Sequence, residues 1–369
     1  MDVNSNTASY KLTPPNPPND GILFVDHSPN KRGGNLGHAL VEYADGKILA
    51  FYPNCDMGNK GHSARGWMEY KRSEDYGQTW SDPVVLDYTK TLFDEGQAGD
   101  GEKFSAFGEK AVLTDEGHIV VFFLVCNITN DAVWRRFQIP KYIISEDGGH
   151  TWSEPYEVCD NRGRLYDAKY YNGEILALHF KNDNEINFLG NLNEHVYQMY
   201  VSNDGGRTFE LRSELPFDTT NKSYGTMCKL ESGSIIVYLY DKDAEDTMPY
   251  VISDDDGRTW SEPKVAQFPK RIRNPQMGVL NGSYFMTGRS GLFGEKVNNG
   301  HFVMYTSRDG LNWDDGTYLQ TKGPGLAAYS NIIEVGTHNP NMKNRLLIQA
   351  SHAYERHLTN LHHWWIDTL

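Results

Sequence analysis

The sequence predicts an all-β protein, a six-bladed β-propeller of four-stranded antiparallel blades, and two interleaved repeats predict it. The first is a run close to Ser-x-Asp-x-Gly-x-Thr-Trp, beginning at Ser73, Ser145, Ser202, Ser253 and Ser307, the last copy one residue short. The copies lie about 50–70 residues apart, a period that signals a radial or stacked array. The second repeat is an apolar strand, a tight Gly-containing bend and another apolar strand. Its copies are HALVEYADGKILAFY from His38, GEKAVLTDEGHIVVFF from Gly108, LYDAKYYNGEILALHF from Leu165, YGTMCKLESGSIIVYLY from Tyr224, NPQMGVLNGSYFMTG from Asn274, and YSNIIEVGTHNPNMKNRLLIQA from Tyr329. Asp-Gly, Asn-Gly and Ser-Gly at the bends are hairpin signals, because such turns need positive φ.

Taken in order, residues 1–20, with Pro14, Pro15, Pro17 and Pro18, read as an extended lead-in. Residues 21–369 read as one domain, with no boundary suggesting a second. Each of the first five hairpins is followed by a third strand, a Ser-x-Asp turn and a fourth strand. Small sheets repeated in this way arrange radially and leave only short, protected edges. The sixth unit lacks a Ser-x-Asp turn, so the segment ILFVDH from Ile22 is expected to supply its outer strand and close the ring. The repeated turn has a structural logic of its own. Its Asp accepts hydrogen bonds from amides a few residues on, its Gly supplies the left-handed backbone, and its Trp packs between strands. One Asp per turn falls short of a calcium shell, so no metal is expected there.

Composition narrows the partners. The chain has 369 residues and a formal net charge of −14, with no basic block, which argues against nucleic acid. No apolar run reaches membrane-spanning length, and residues 1–20 lack a signal-peptide core. Cys55, Cys126, Cys159 and Cys228 have no CxxC spacing and read as free thiols. The expected location is therefore the cytoplasm, or outside the cell with a leader absent from this sequence. No cofactor is implied, and His62, His179, His352 and the His362–His363 pair lack tight zinc-ligand spacing.

Strand direction selects the functional face. The Gly bends and the Ser-x-Asp turns crowd one face, so the starts of first strands and the ends of second strands line the opposite funnel. The starts offer His38, Glu109, Tyr166, Asp167, Tyr224, Arg273, Asn274, Gln276 and Tyr329. The second-strand ends and the loops beyond offer Asp56, His62, Arg65, His179 and Arg289. Aromatic, amide, acidic and cationic side chains converging on a funnel suit a hydroxyl-rich ligand, an oligosaccharide or polysaccharide.

On these repeats, and on YKRSEDYGQTWSDP from Tyr70, residues 22–369 resemble the sialidase (neuraminidase) superfamily of Asp-box propellers. The resemblance implies an exo-acting glycosidase that holds a sugar carboxylate with three arginines. It also implies a tyrosine nucleophile paired with a glutamate, and an aspartate acid/base; tyrosine is the exception to the usual two-carboxylate mechanism. Tyr329, in AAYSNII, matches the nucleophile, and Arg289, in TGRSG, falls near the third arginine. The first-blade arginine is missing, with His38 replacing the adjoining proline, and the fourth-blade Asn-Glu-Pro becomes Ser223-Tyr224-Gly225. Asp56 stands for the aspartate.

Three readings follow. In a sialidase-like hydrolase of altered specificity, Tyr329 attacks, Asp167 or Glu109 polarises it, and Asp56 or His38 is the acid/base. In a lyase or His-dependent glycosidase acting on uronate glycans, His38, Tyr224 and Tyr329 move protons while Arg65, Arg273 or Arg289 neutralises the carboxylate. In a non-catalytic glycan-binding propeller, the same side chains only bind. His62, His179 and Gln276 complete the expected substrate contacts.

Overall fold

The computed structural model describes residues 8–56, 65–98, 101–129, 135–183, 188–291, 301–321, 323–324, 328–355 and 358–369. Its strands form six antiparallel sheets, five running in chain order from the axis outward and the sixth completed by N-terminal strands. Blade I is Ala39–Ala44, Lys47–Cys55, Gly66–Ser73 and Val84–Val85, and blade II is Phe104–Leu113, Ile119–Asn127, Lys141–Ser145 and Tyr156–Glu157. Blade III is Gly163–Tyr171, Glu174–Lys181, Val196–Ser202 and Glu210–Leu215. Blade IV is Lys222–Lys229, Ile235–Asp241, Thr247–Ser253 and Lys264–Gln267. Blade V is Arg273–Leu280, Ser283–Ser290, His301–Ser307 and Thr317–Gln320, and blade VI begins with Ser330–Val335, Arg345–Glu355 and Leu358–Thr368. The hairpin bends behave as their residues require: Asn172 and Gly173 both take positive φ, 54° and 84°.

The ring closes with two N-terminal strands rather than one. Ile22–Val25 pairs along Leu361–His363, as expected, and Tyr10–Thr13 pairs along Trp365–Thr368. The expected lead-in thus contributes an edge strand to blade VI. An α-helix, Asp87–Ala98, is inserted between blades I and II, where the repeat pattern suggested only strands. It packs Phe93 against Trp67 at 5.7 Å and Tyr88 against Phe123 at 5.2 Å.

Apolar clusters fill the gaps between blades. Between VI and I, for example, Val335, Leu347 and Trp365 meet Leu40, Ile48 and Tyr52. All four cysteines are free, and no described helix is long and apolar enough to cross a membrane.

The Ser-x-Asp turns carry the expected bonds. In the fourth copy Asp255 accepts the Ser253 hydroxyl at 2.8 Å and both the amide and the hydroxyl of Thr259, at 2.8 and 2.6 Å. The shortened fifth copy preserves this with Asn312, whose amide and side chain both donate to Asp309 at 2.8 and 2.7 Å. Each of the last four turns also bonds to the preceding blade. Tyr70 of blade I donates to the Gly149 carbonyl at 3.2 Å, Tyr142 of II to Arg207 at 2.9 Å, Ser213 of III to Gly257 at 2.5 Å, and Tyr238 of IV to Gly310 at 2.8 Å. A side chain on Gly149 would lie 2.6 Å from Leu49, so the turn seats only with glycine there.

The Thr259 hydroxyl and amide hold the Asp255 carboxyl at about 2, below its ordinary 3.8. A lowered folded-state value means the contribution is present above pH about 4 and is lost as pH falls towards 2. Asp255→Ala is expected to cost about 1–2 kcal/mol at pH 7, and the difference from wild type should shrink below pH about 4, as read by urea unfolding. A constant difference across that range would contradict the assignment.

Candidate functional site

At the funnel end of the first strands, the pairing slips at one place in four consecutive blades. Register shifts fall between Gly108 and Lys110, Leu165 and Asp167, Ser223 and Gly225, and Arg273 and Gln276. The residues spanned are Glu109, Tyr166, Tyr224, and Asn274 with Pro275. Tyr224 and Asn274 take positive φ, 46° and 56°. Bulges re-aim side chains and recur beside active sites. Here they turn Glu109, Tyr166, Tyr224 and Asn274 into one cavity with His38, Arg164, Gln276 and Tyr329. The cavity holds about 30 Å³, close to the volume of one water molecule in the liquid.

Below the bulges a polar layer plugs the axis. The Lys110 ammonium donates to Gln276 and, at 2.8 Å, to Asn331, and lies 3.3 Å from Asp167. Asp167 also accepts the Thr226 hydroxyl at 3.0 Å and the Met227 amide at 2.8 Å. Asn331 donates to the His38 and Glu109 carbonyls. Burial, only partly offset by Asp167, pulls the Lys110 ammonium down to about 8.

One expectation is corrected by this layer. Asp167 is fully buried and spends its oxygens on Lys110, Thr226 and backbone amides, so it does not polarise Tyr329. Gln276 reaches the cavity wall but its carbonyl is committed to Lys110. Glu109 is corrected as well. It receives a two-pronged contact from Arg164, with Nη2 at 3.0 and 2.8 Å from its oxygens, and serves as that arginine's counter-ion.

His38 is 4% exposed, and its Nε2 donates to the Asn35 carbonyl at 3.1 Å. Its Nδ1 lies 3.5 Å from the Gln349 amide, and burial lowers the ring to about 4. With both nitrogens engaged and the ring neutral, His38 is a wall residue rather than the expected acid/base. His179 is buried within blade III, donating to Gln198 at 3.3 Å beside Tyr200, away from the cavity walls. Asp56 and Arg65 pair at 3.9 Å at the funnel end of blade I, and the Arg65 guanidinium reaches Gln97 at 3.5 Å. His62 lies outside the described residues.

The cations and phenols do converge. Arg289, 2% exposed, lies 5.3 Å from the Tyr329 ring centre. Its backbone pairs with that of Arg273, whose guanidinium sits among Phe188, Tyr240 and Tyr224 at 5.0, 5.1 and 5.9 Å. Arg164 lies over Tyr166 and Tyr224 at 4.8 and 5.3 Å. Arg289 Nε and Nη1 and Arg273 Nε are buried and find no hydrogen-bond acceptor among the described residues. The Tyr224 and Tyr329 hydroxyls are 3.4 Å apart. Burial pushes the Tyr329 phenol up, but Arg289, Arg273, the Tyr224 hydroxyl and Arg164 together leave it below its ordinary 10. Tyr224, by contrast, is driven well above that value by burial.

Arg164 is the functional candidate that sequence reasoning missed. It stands two residues before Tyr166, on the same side of a regular strand, so starting the blade III repeat one residue earlier finds it.

A wider cavity, about 950 Å³, lies between the helix and blade II, lined by Tyr88, Phe104, Trp152 and Glu157 among others, and shares no lining residue with the axial cavity. Among the described residues no three His, Cys, Asp or Glu side chains gather as metal ligands.

No protein-family profile matches the chain, and no curated protein matches it. Many solved structures do match. One is a Dyadobacter fermentans protein of unknown function, at TM-score 0.68 and 14% identity over 94% of this chain and 98% of that one. Another is the Hadza microbial sialidase Hz136, at TM-score 0.66 and 13% identity over 93% of this chain and 68% of its own. A third is the intramolecular trans-sialidase of Ruminococcus gnavus, in complex with oseltamivir carboxylate, at TM-score 0.61 and 11% identity over 93% and 96%. At such identities the likeness establishes the fold: a six-bladed propeller of sialidase-like architecture.

Removing Lys110 leaves the buried Asp167 carboxylate with only the longer contact to Lys169, at 3.8 Å, as a cation partner. Lys110→Met is expected to destabilise the protein by about 3–5 kcal/mol in denaturant unfolding, with most of the loss recovered in the double variant with Asp167→Asn. Wild-type stability in Lys110→Met would contradict the axial pairing.

Proposed function

We propose that this chain is a glycoside hydrolase that releases a terminal acidic sugar from glycans, with Tyr329 as nucleophile. The observation that carries the reading is the pair of buried Arg289 and half-buried Arg273, set against the two phenols with unsatisfied, buried N–H groups. Keeping a guanidinium out of water without an acceptor costs kilocalories, so a site that does so is built for an anion. Guanidinium matches a carboxylate two oxygens at a time, and such contacts are strong in a dry pocket. Two of the structural neighbours are sialidases, and one of those is bound to a carboxylate compound.

In this mechanism the arginines hold the sugar carboxylate and lower the energy of the Tyr329 phenolate. The phenolate oxygen bonds to the anomeric carbon as the glycosidic C–O bond breaks. The departing oxygen takes a proton from Asp56, the carboxyl at the funnel end of blade I, which then activates the water that releases the sugar. Two displacements at one carbon retain its configuration. With both ring nitrogens of His38 engaged, the His-dependent reading loses its base.

Aryl glycosides of acidic and neutral sugars test the proposal. Tyr329→Phe is expected to lose activity on the order of 10³-fold or more. Arg289→Met should lose turnover of acidic sugars selectively. Asp56→Asn should fail on poor leaving groups and recover on good ones. Released sugar should appear first as the retained anomer by NMR. Full activity in Tyr329→Phe would overturn the proposal, as would ultraviolet absorbance from an unsaturated uronate, or glycan binding with no turnover.

A further inference from the structure

We propose that Tyr224 and Tyr329 form one acid–base unit, in which Tyr329 carries the negative charge and the Tyr224 hydroxyl donates to it. The catalytic part of this statement rests on the glycosidase reading above; the ionisation itself does not.

The geometry supports it from several sides. The two hydroxyls are 3.4 Å apart, and both side chains are almost wholly buried. The positive φ of Tyr224 within its bulge fixes the direction of that ring. Tyr166, the third phenol of the cavity, cannot compete for the proton, because its hydroxyl is tied to the Ser223 hydroxyl at 2.6 Å.

The charges that face the pair come from blades II to V. Arg164 is neutralised by Glu109, and Glu245, which receives the Tyr240 hydroxyl at 2.6 Å, is neutralised by Arg271. His38 is neutral. That leaves Arg273 and Arg289 as cations without a carboxylate partner among the described residues. One buried and one half-buried positive charge beside two phenols favour loss of one proton from the pair. Loss of a second is opposed by the first negative charge at 3.4 Å. Of the two cations without a carboxylate, Arg289 lies 5.3 Å from the Tyr329 ring centre and Arg273 5.9 Å from that of Tyr224, while Arg164 over Tyr224 is already paired with Glu109, so the anion settles on Tyr329.

The family resemblance leads one to expect a glutamate beside the nucleophile, but Tyr224 occupies that place in the sequence. It acts as a positioning residue. As the Tyr329 oxygen bonds to carbon and loses its charge, Tyr224 keeps its own proton. The electron pair of the broken glycosidic bond leaves with the departing oxygen, which is protonated by Asp56.

The test needs no substrate. Spectrophotometric titration of the phenolate band should show one of the 22 tyrosines ionising below the ordinary tyrosine range of about 10. Tyr329→Phe should abolish that transition, and Tyr224→Phe should shift its midpoint upward while leaving the melting temperature near wild type. Should Tyr224→Phe fail to fold, wild-type protein carrying ¹³Cζ-tyrosine decides the matter by NMR. Two ring resonances should move through one common midpoint, one of them by the full phenolate shift. A low-pH transition that survives in Tyr329→Phe, an unchanged midpoint in Tyr224→Phe, or ¹³Cζ resonances that move independently would each overturn the proposal. Inactivity on glycosides alongside an intact shared transition would refute only the glycosidase reading.

Discussion

The structure depends on what its six innermost strands do where they meet. Lys110 stands on the axis and reaches Asp167 of blade III, Gln276 of blade V and Asn331 of blade VI. Asp167 passes the link to Thr226 and Met227 of blade IV, and Asn331 to the backbone of blades I and II. All six blades are thereby joined by one polar network. Such a network fixes their relative position more narrowly than apolar packing would, because a small displacement leaves a buried charge unpaired. It also stands between the small cavity, which Gln276 lines, and a wider pocket on the other side, which Lys110 and Asn331 line.

The bulges follow from the same constraint. A regular strand alternates its side chains between two faces, and cannot serve both the axis and the funnel with adjacent residues. An extra residue in blades II to V resolves this: Lys110, Asp167, Thr226 and Gln276 serve the floor, while Glu109, Tyr166, Tyr224 and Asn274 serve the cavity. Strained backbone at Tyr224 and Asn274 is sustained by the sheets around it, as strain at functional sites generally is. Floor and cavity residues thus sit one or two positions apart on the same strands.

This explains which parts were legible in the sequence. The Ser-x-Asp turns and Gly bends are local, each set by a few residues, so blade number and strand order could both be read. Asn312 standing in for threonine was beyond such reading, although the turn it belongs to was not. Asp167 was misread because its place at a strand start does not reveal the bulge beside it or Lys110 of the preceding blade, which takes its carboxylate. Glu109 was misread because its partner, Arg164, comes from the next blade, about 55 positions on, and only the closed ring brings the two together. His38 looked like a base until the fold buried it against Asn35 and Gln349. The three-arginine expectation fared differently. Three arginines do surround the phenols, but they come from blades III and V, and one of them carries its own carboxylate.

The central claim is that Arg273 and Arg289 are held unsatisfied to receive one carboxylate. Calorimetric titration of the protein with a monosaccharide uronic acid and with its uncharged methyl ester tests this most directly. The account predicts binding of the acid, weakened by salt, with at least tenfold loss for the ester and for Arg289→Met. Equal affinity for acid and ester, or acid binding undiminished in Arg289→Met, would contradict it.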